Sequence, residues 1–110
     1  MYNPKHFEQH DAAAITELIQ NFPLAALVTQ NDGQINANHI PFLLEGQITV
    51  GSRLIGHVAK MNPVWEATSP DTESLLIFQG PSAYITPNWY PSKQENHLVV
   101  PTYNLSLIHI

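Results

Sequence analysis

Apolar and polar positions follow several rhythms along this chain, and each rhythm predicts an element. Ile15, Leu18, Ile19 and Phe22 fall at the i, i+3, i+4, i+7 spacing of one helix face. Asp11 stands where an N-cap belongs and Pro23 where a helix must stop, so the spacing predicts a helix over residues 12–21. Residues 24–29, LAALVT, form a continuous apolar run, and residues 35–44 form its return strand. Between them, Asp32-Gly33 supplies a pair that tolerates the left-handed backbone of a tight hairpin, so the two strands are expected to be antiparallel. Pro41 cannot donate to a ladder and must lie at an edge, an end or a bulge.

Further on, Glu45-Gly46 turns the chain and strands are predicted over 48–50 and 54–59, with Gly51 and Gly56 as bulge or close-approach points. Alternation places Leu54, Gly56 and Val58 on one face and Ile55, His57 and Ala59 on the other. Asn62-Pro63 is a good cap followed by proline at the first helical position, which predicts a short helix to about Thr68, stopped by Ser69-Pro70-Asp71. Residues 73–79 read as a strand, Gly80-Pro81 as a turn, 83–86 as a short partner, and strand character returns over 98–110. The stretch 78–93, FQGPSAYITPNWYPSK, reads as a loop carrying Tyr84, Trp89 and Tyr90 on a proline-stiffened path. Such rings either wall a slot for a flat ligand or plug a core, and the run alone does not choose. The order is one helix and then mainly antiparallel strands with a short inserted helix. This is a mainly β, α+β pattern in which short strands are expected to curl into a small barrel.

Composition narrows the function. A chain of 110 residues is long enough for one core, so 1–110 is a single domain. It is 44% hydrophobic and only 12% charged, a surface poor enough in charge to suggest burial against a partner. The formal charge is −5, and the four basic residues, Lys5, Arg53, Lys60 and Lys93, are scattered. Because cationic contacts to phosphates dominate nucleic-acid affinity, direct DNA binding by this chain is doubtful. The absence of cysteine excludes disulfides, thiolate metal sites and cysteine nucleophiles. The opening MYNPKHFEQHD lacks the apolar core of a signal peptide and no run reaches membrane-spanning length, so a cytoplasmic protein without membrane contact is expected.

Candidate chemistry concentrates at residues 56–63, GHVAKMNP, where a strand end feeds a capped helix start. Unpaired backbone N–H groups there suit a phosphate or carboxylate, with Lys60 adding charge and His57 or Asn62 adding donors. A solvated turn lysine, a simple cap and a locally bonded histidine fit the same residues. The histidines offer no complete metal site. HFEQH lacks the glutamate beside its first histidine that a zinc-protease helix needs, and His39 and His57 have no evident carboxylate third ligand. Nucleophile-elbow, P-loop and dinucleotide-binding glycine patterns are all absent.

Taken in order, several motifs resemble the PaiB-like FMN-binding negative transcriptional regulators. They are Tyr2-Asn3-Pro4-Lys5-His6-Phe7, Pro23-Leu24-Ala25, Asn38-His39-Ile40-Pro41, Gly56-His57-Val58-Ala59-Lys60 with Asn62-Pro63 and Trp65, and Phe78-Gln79-Gly80-Pro81. Ala83-Tyr84-Ile85, Trp89-Tyr90-Pro91-Ser92-Lys93 and Val100-Pro101-Thr102 complete the set. The resemblance implies an antiparallel split β-barrel of the flavin-reductase and pyridoxamine-oxidase type, a homodimer, and FMN held between subunits. It implies a phosphate site at His57, Ala59, Lys60 and Asn62, and Asn38, His39 and Ile40 along the flavin ring. Tyr84, Trp89 and Tyr90 become candidates for the slot wall or the dimer seam. The chain is shorter than the family's usual length, which implies its N-terminal portion, with an incomplete barrel and an exposed edge after Tyr103. Residues 105–110 keep only a histidine where the family continues with an aromatic residue and a histidine-containing strand.

Three functions remain open on these grounds: a flavin-binding regulatory or sensor protein, an FMN-dependent oxidoreductase, and an inactive truncated fragment. No basic recognition helix accompanies the regulator reading, so regulation through a partner or small molecule is expected.

Overall fold

The structure, a computed structural model, describes residues 2–83, 87–89 and 91–97. Helix α1, Ala12–Asn21, begins where the sequence places its cap: Asp11 Oδ1 accepts the Ala13 N–H at 2.9 Å. At the other end the Phe22 N–H returns to the Leu18 carbonyl at 2.9 Å. Ile19 is fully buried, and Ile15 and Leu18 are half-buried beside it. Phe22, expected on the same apolar face, is instead exposed, because the chain leaves helical geometry at that residue.

Strands β1, Leu24–Asn31, and β2, Gln34–Leu44, form the predicted hairpin. Its two-residue turn has φ of 49° at Asp32 and 77° at Gly33, the left-handed pair of a type I′ turn, whose twist matches that of the strands. Strand β3, Leu54–Gly56, pairs antiparallel with β2, and β4, Leu75–Ile77, pairs antiparallel with β1. The sheet order is therefore β3-β2-β1-β4. Pro41 is tolerated inside long β2 for a geometric reason. The Phe42 N–H reaches the Pro23 carbonyl at 2.9 Å, which makes Leu24↔Pro41 a non-hydrogen-bonded pair in which the backbone groups of Pro41 face away from β1. Those groups face the β3 side, where pairing starts only at Phe42↔Gly56, so the missing donor leaves no ladder bond unmade.

Alternation divides the sheet. One face carries Ala25, Leu27, Ile40, Phe42, Leu44, Leu54 and Leu76, and against part of it lie Ile15 and Ile19 of α1 and the fully buried Phe78. Phe42 and Phe78 meet edge to face with ring centroids 6.3 Å apart. The opposite face carries Leu24, Ile35, Leu43 and Ile55, which are 58%, 73%, 60% and 46% exposed.

Several boundaries differ from the sequence reading. Residues 48–50 are not a strand: the Ile48 N–H bonds Thr16 Oγ1 of α1 at 2.8 Å, and a turn closes from Ser52 N–H to the Thr49 carbonyl at 3.0 Å. Gly51 supplies that turn's positive φ of 87°. The strands expected over 54–59 and 73–79 contract to Leu54–Gly56 and Leu75–Ile77. The aromatic stretch is not simply a loop, since it contains a 3-10 turn, Pro87–Trp89, and helix α3, Pro91–Asn96. Pro91 starts that helix at a position where its missing N–H costs nothing. The strand expected over 98–110, most of the one over 83–86, and Tyr84 and Tyr90 lie outside the described residues. What the described residues form is an antiparallel four-stranded sheet with helices, an arrangement compatible with a split barrel.

Candidate functional site

The strand-to-helix junction folds largely as its residue types dictate. The turn after β3 closes with the Asn62 N–H on the Ala59 carbonyl at 2.8 Å. Asn62 Oδ1 then accepts the Val64 N–H at 3.0 Å, and Pro63 already has helical dihedrals of −73° and −3°. Helix α2, Val64–Ala67, follows, and the Thr68 hydroxyl donates back to the Val64 carbonyl at its end. Pro63 thus stands at the cap position just before α2, one residue later than the sequence places the cap, and the Asn62 side chain satisfies the helix's first N–H from behind it. These bonds also correct one expectation: the N–H groups of Asn62 and Val64 are used within the turn itself and are not offered to a ligand.

Val64 is buried and anchors α2 against the sheet. Between them lies an apolar groove of about 190 Å³. Leu27, Ile40 and Phe42 form its floor, Gly56 and Val58 one side, and Val64, Trp65 and Thr68 the other. Gly56 is the close-approach glycine its sequence position suggests, since a Cβ there would fall 2.7 Å from Phe42 Cε1 and 3.2 Å from Ile40 Cγ2.

The predicted site residues divide around this groove. Ile40 is buried in its floor. Asn38, one step along the same face of β2, accepts a hydrogen bond through Oδ1 from Asn62 Nδ2 at 3.0 Å, joining two motifs 24 positions apart at the groove's rim. Lys60 is exposed in the turn beside them, and the Trp65 indole N–H donates to its carbonyl at 3.3 Å, which seats the ring over the turn. His57 and Ala59 are exposed on the same short connection. His39 is exposed and, by alternation, on the opposite face of β2 from Asn38 and Ile40, so the three consecutive residues do not present their side chains to one surface. Trp89 is exposed in its 3-10 turn and does not line the groove, while Tyr84 lies outside the described residues.

Sequence reasoning passed over Leu27, Phe42, Val58 and Thr68 as site formers and treated Trp65 only as part of a motif. The alternation of Ile40 and Phe42, together with Val64 one turn short of Thr68, carried the signal, but only the β1–β2 register tells which face they share. Among the described residues no group of three or more His, Asp or Glu side chains could hold a metal ion. None of their helices is long and apolar enough to cross a membrane.

Comparison with known proteins places this geometry in a family. The chain is 34% identical over 110 residues to the Protease synthase and sporulation protein PAI 2 of Bacillus subtilis, an alignment covering all of this chain and 50% of that protein. It is 29% identical over 128 residues to an uncharacterized protein of Saccharomyces cerevisiae, covering all of this chain and 75% of the yeast protein. The chain thus spans half the length of the Bacillus relative. A family model described as "Putative FMN-binding domain" matches residues 1–110, and the chain belongs to that family, whose cofactor is FMN.

Proposed function

We propose that this chain is the flavin-holding part of a PaiB-type regulatory or sensor protein of the cytoplasm, acting through FMN and a partner rather than by gripping DNA. The observation that carries the reading is the Asn38–Asn62 bond, which sets amides from two separate motifs at the rim of an apolar groove, next to the turn that carries Lys60. An apolar trough with a few convergent polar groups is the usual form of a cofactor site. The groove's volume of about 190 Å³ is below the range of roughly 300–1,000 Å³ for whole small-molecule pockets, so it takes one part of the ligand and the remainder extends beyond it.

In this reading Lys60 balances the phosphate charge, His57 adds a donor, and the backbone at Ala59 follows the phosphate. The strand Asn38-His39-Ile40 runs beside the ring, Asn38 and Ile40 by their side chains and His39 by its backbone alone, and the chain's residues bind and orient. FMN, when bound, supplies hydride and one-electron chemistry. A completed split barrel and a homodimer belong to the same proposal. The apolar face bearing Leu24, Ile35, Leu43 and Ile55 has no cover among the described residues, and a second copy of the chain is the occupant this reading assigns to it. The net charge of −5 disfavours a direct grip on DNA, so the regulatory role in this reading is exercised indirectly.

Lys60→Ala tests the site. It removes one charge from an exposed position, so FMN affinity at low salt is expected to fall about tenfold, with a smaller loss at high salt. Riboflavin, which lacks the phosphate, is expected to bind both proteins alike. Equal FMN affinity for the two proteins at low salt would remove Lys60 from the site.

A further inference from the structure

We infer that the Asn62 amide, besides capping α2, fixes which end of the Asn38 amide faces the ligand, so that Asn38 presents its NH₂ donor and recognises a hydrogen-bond acceptor atom of the flavin. The inference rests on the reading of the groove rim as part of the FMN site. It starts from a group that has no choice: the Val64 backbone N–H can only donate. Its partner 3.0 Å away must therefore be the oxygen of the Asn62 amide. That settles the other end of the same side chain as the NH₂ group, which donates to Asn38 at 3.0 Å. The receiving atom of Asn38 must then be its oxygen, and the Asn38 NH₂ group is left pointing away from Asn62. An asparagine seen alone could present either end, because its oxygen and nitrogen are nearly equal in size. Here the polarity passes from the helix cap through two amides to the groove's rim.

The consequence is chemical selectivity. Asn38 is half-buried in β2, one step along the strand from the buried Ile40 of the groove floor. A donor held there complements a carbonyl oxygen or an unprotonated ring nitrogen and opposes an N–H edge. The flavin ring system offers both kinds of edge, so a fixed donor selects how the ring sits. Asn38 acts as a contact residue and Asn62 as a positioning residue, and neither is required to react.

Asn62→Asp separates the two roles of Asn62. The carboxylate still accepts the Val64 N–H, so the cap and the fold are retained. It has no donor for Asn38, whose amide must turn over and present its oxygen to the rim. Nitrogen-15 NMR of the ligand-free full chain reads this directly. In the wild type, one Asn62 side-chain amide proton is expected to be protected from exchange while the Asn38 pair exchanges freely; in Asn62→Asp, the Asn38 pair becomes protected. Riboflavin affinity, chosen because the neutral ligand suppresses the effect of the added charge, is expected to fall about tenfold with an unchanged melting temperature. An Asn38 pair already protected in the wild type, or riboflavin binding within twofold of wild type in a folded Asn62→Asp protein, would overturn the inference. Should the wild type bind neither FMN nor riboflavin, the functional reading fails while the exchange measurement still decides the amide orientation.

Discussion

Gly56→Ala puts the packing of the groove under a direct test. The added methyl would sit 2.7 Å and 2.9 Å from two ring carbons of Phe42 and 3.2 Å from Ile40 Cγ2, where ordinary contact begins at 3.4 Å. Phe42 meets the fully buried Phe78 edge to face, which limits how far its ring can yield. Ile40 is itself buried, 5% exposed, and gives little more room. Overpacking of this kind typically costs about 1–3 kcal/mol. The backbone at Gly56 is outside the left-handed region, so alanine adds no strain there and recovers about 0.4–1 kcal/mol by restricting the unfolded chain. The balance is a loss of about 1–2 kcal/mol, which for a domain of this size lowers the melting temperature by roughly 5–10 °C. Thermal unfolding by circular dichroism measures it, and urea unfolding with an unchanged slope confirms that stability and not the unfolded state has moved. Adding Phe42→Leu to Gly56→Ala removes the obstructing ring, so the pair is expected to cost less than the sum of the single changes. A Gly56→Ala protein that melts at or above the wild-type temperature would refute the close approach and, with it, the shape of the groove.

The remaining predictions concern the cap, the tether and the outer face. Asp11→Ala removes the acceptor for the Ala13 N–H and is expected to cost about 1 kcal/mol in urea unfolding, while Asp11→Asn costs little. Thr16→Val leaves the Ile48 N–H without its 2.8 Å partner, so a loss of about 1–2 kcal/mol is expected, with faster amide exchange at Ile48. Leu43→Lys with Ile55→Lys places two charges, directly opposite each other in the β2–β3 ladder, on the exposed sheet face. The reading of that face as a dimer seam predicts a monomer by analytical ultracentrifugation with secondary structure retained, and an unchanged mass would count against it.

What could be read from the sequence was the chemistry that acts over a few residues. Asp11 as a cap, Asp32-Gly33 as a hairpin turn and Asn62-Pro63 as a helix start all behave as their residue types require, because each satisfies its own neighbours. Interactions across long stretches of sequence were not legible. Residues 48–50 look like a strand by pattern, but Thr16, 32 positions away, takes the Ile48 N–H. The helix Pro91–Asn96 was masked by prolines that suggest an extended path, although one of them occupies a position that favours helix initiation. For the site, the sequence points separately to Asn38 and to the junction carrying Lys60 and Asn62, and the Asn38–Asn62 bond that joins them depends on how β2 and α2 pack. His39 is the instructive case. Period-two alternation within Asn38-His39-Ile40 puts its side chain on the opposite face, so only its backbone lies along the strand beside theirs.

Equilibrium titration of the purified chain with FMN, followed by quenching of flavin fluorescence, tests the central claim most directly. Saturable, stoichiometric binding that Lys60→Ala weakens about tenfold at low salt is the predicted result. Flavin fluorescence that stays unquenched across the titration, with the protein folded, would contradict it.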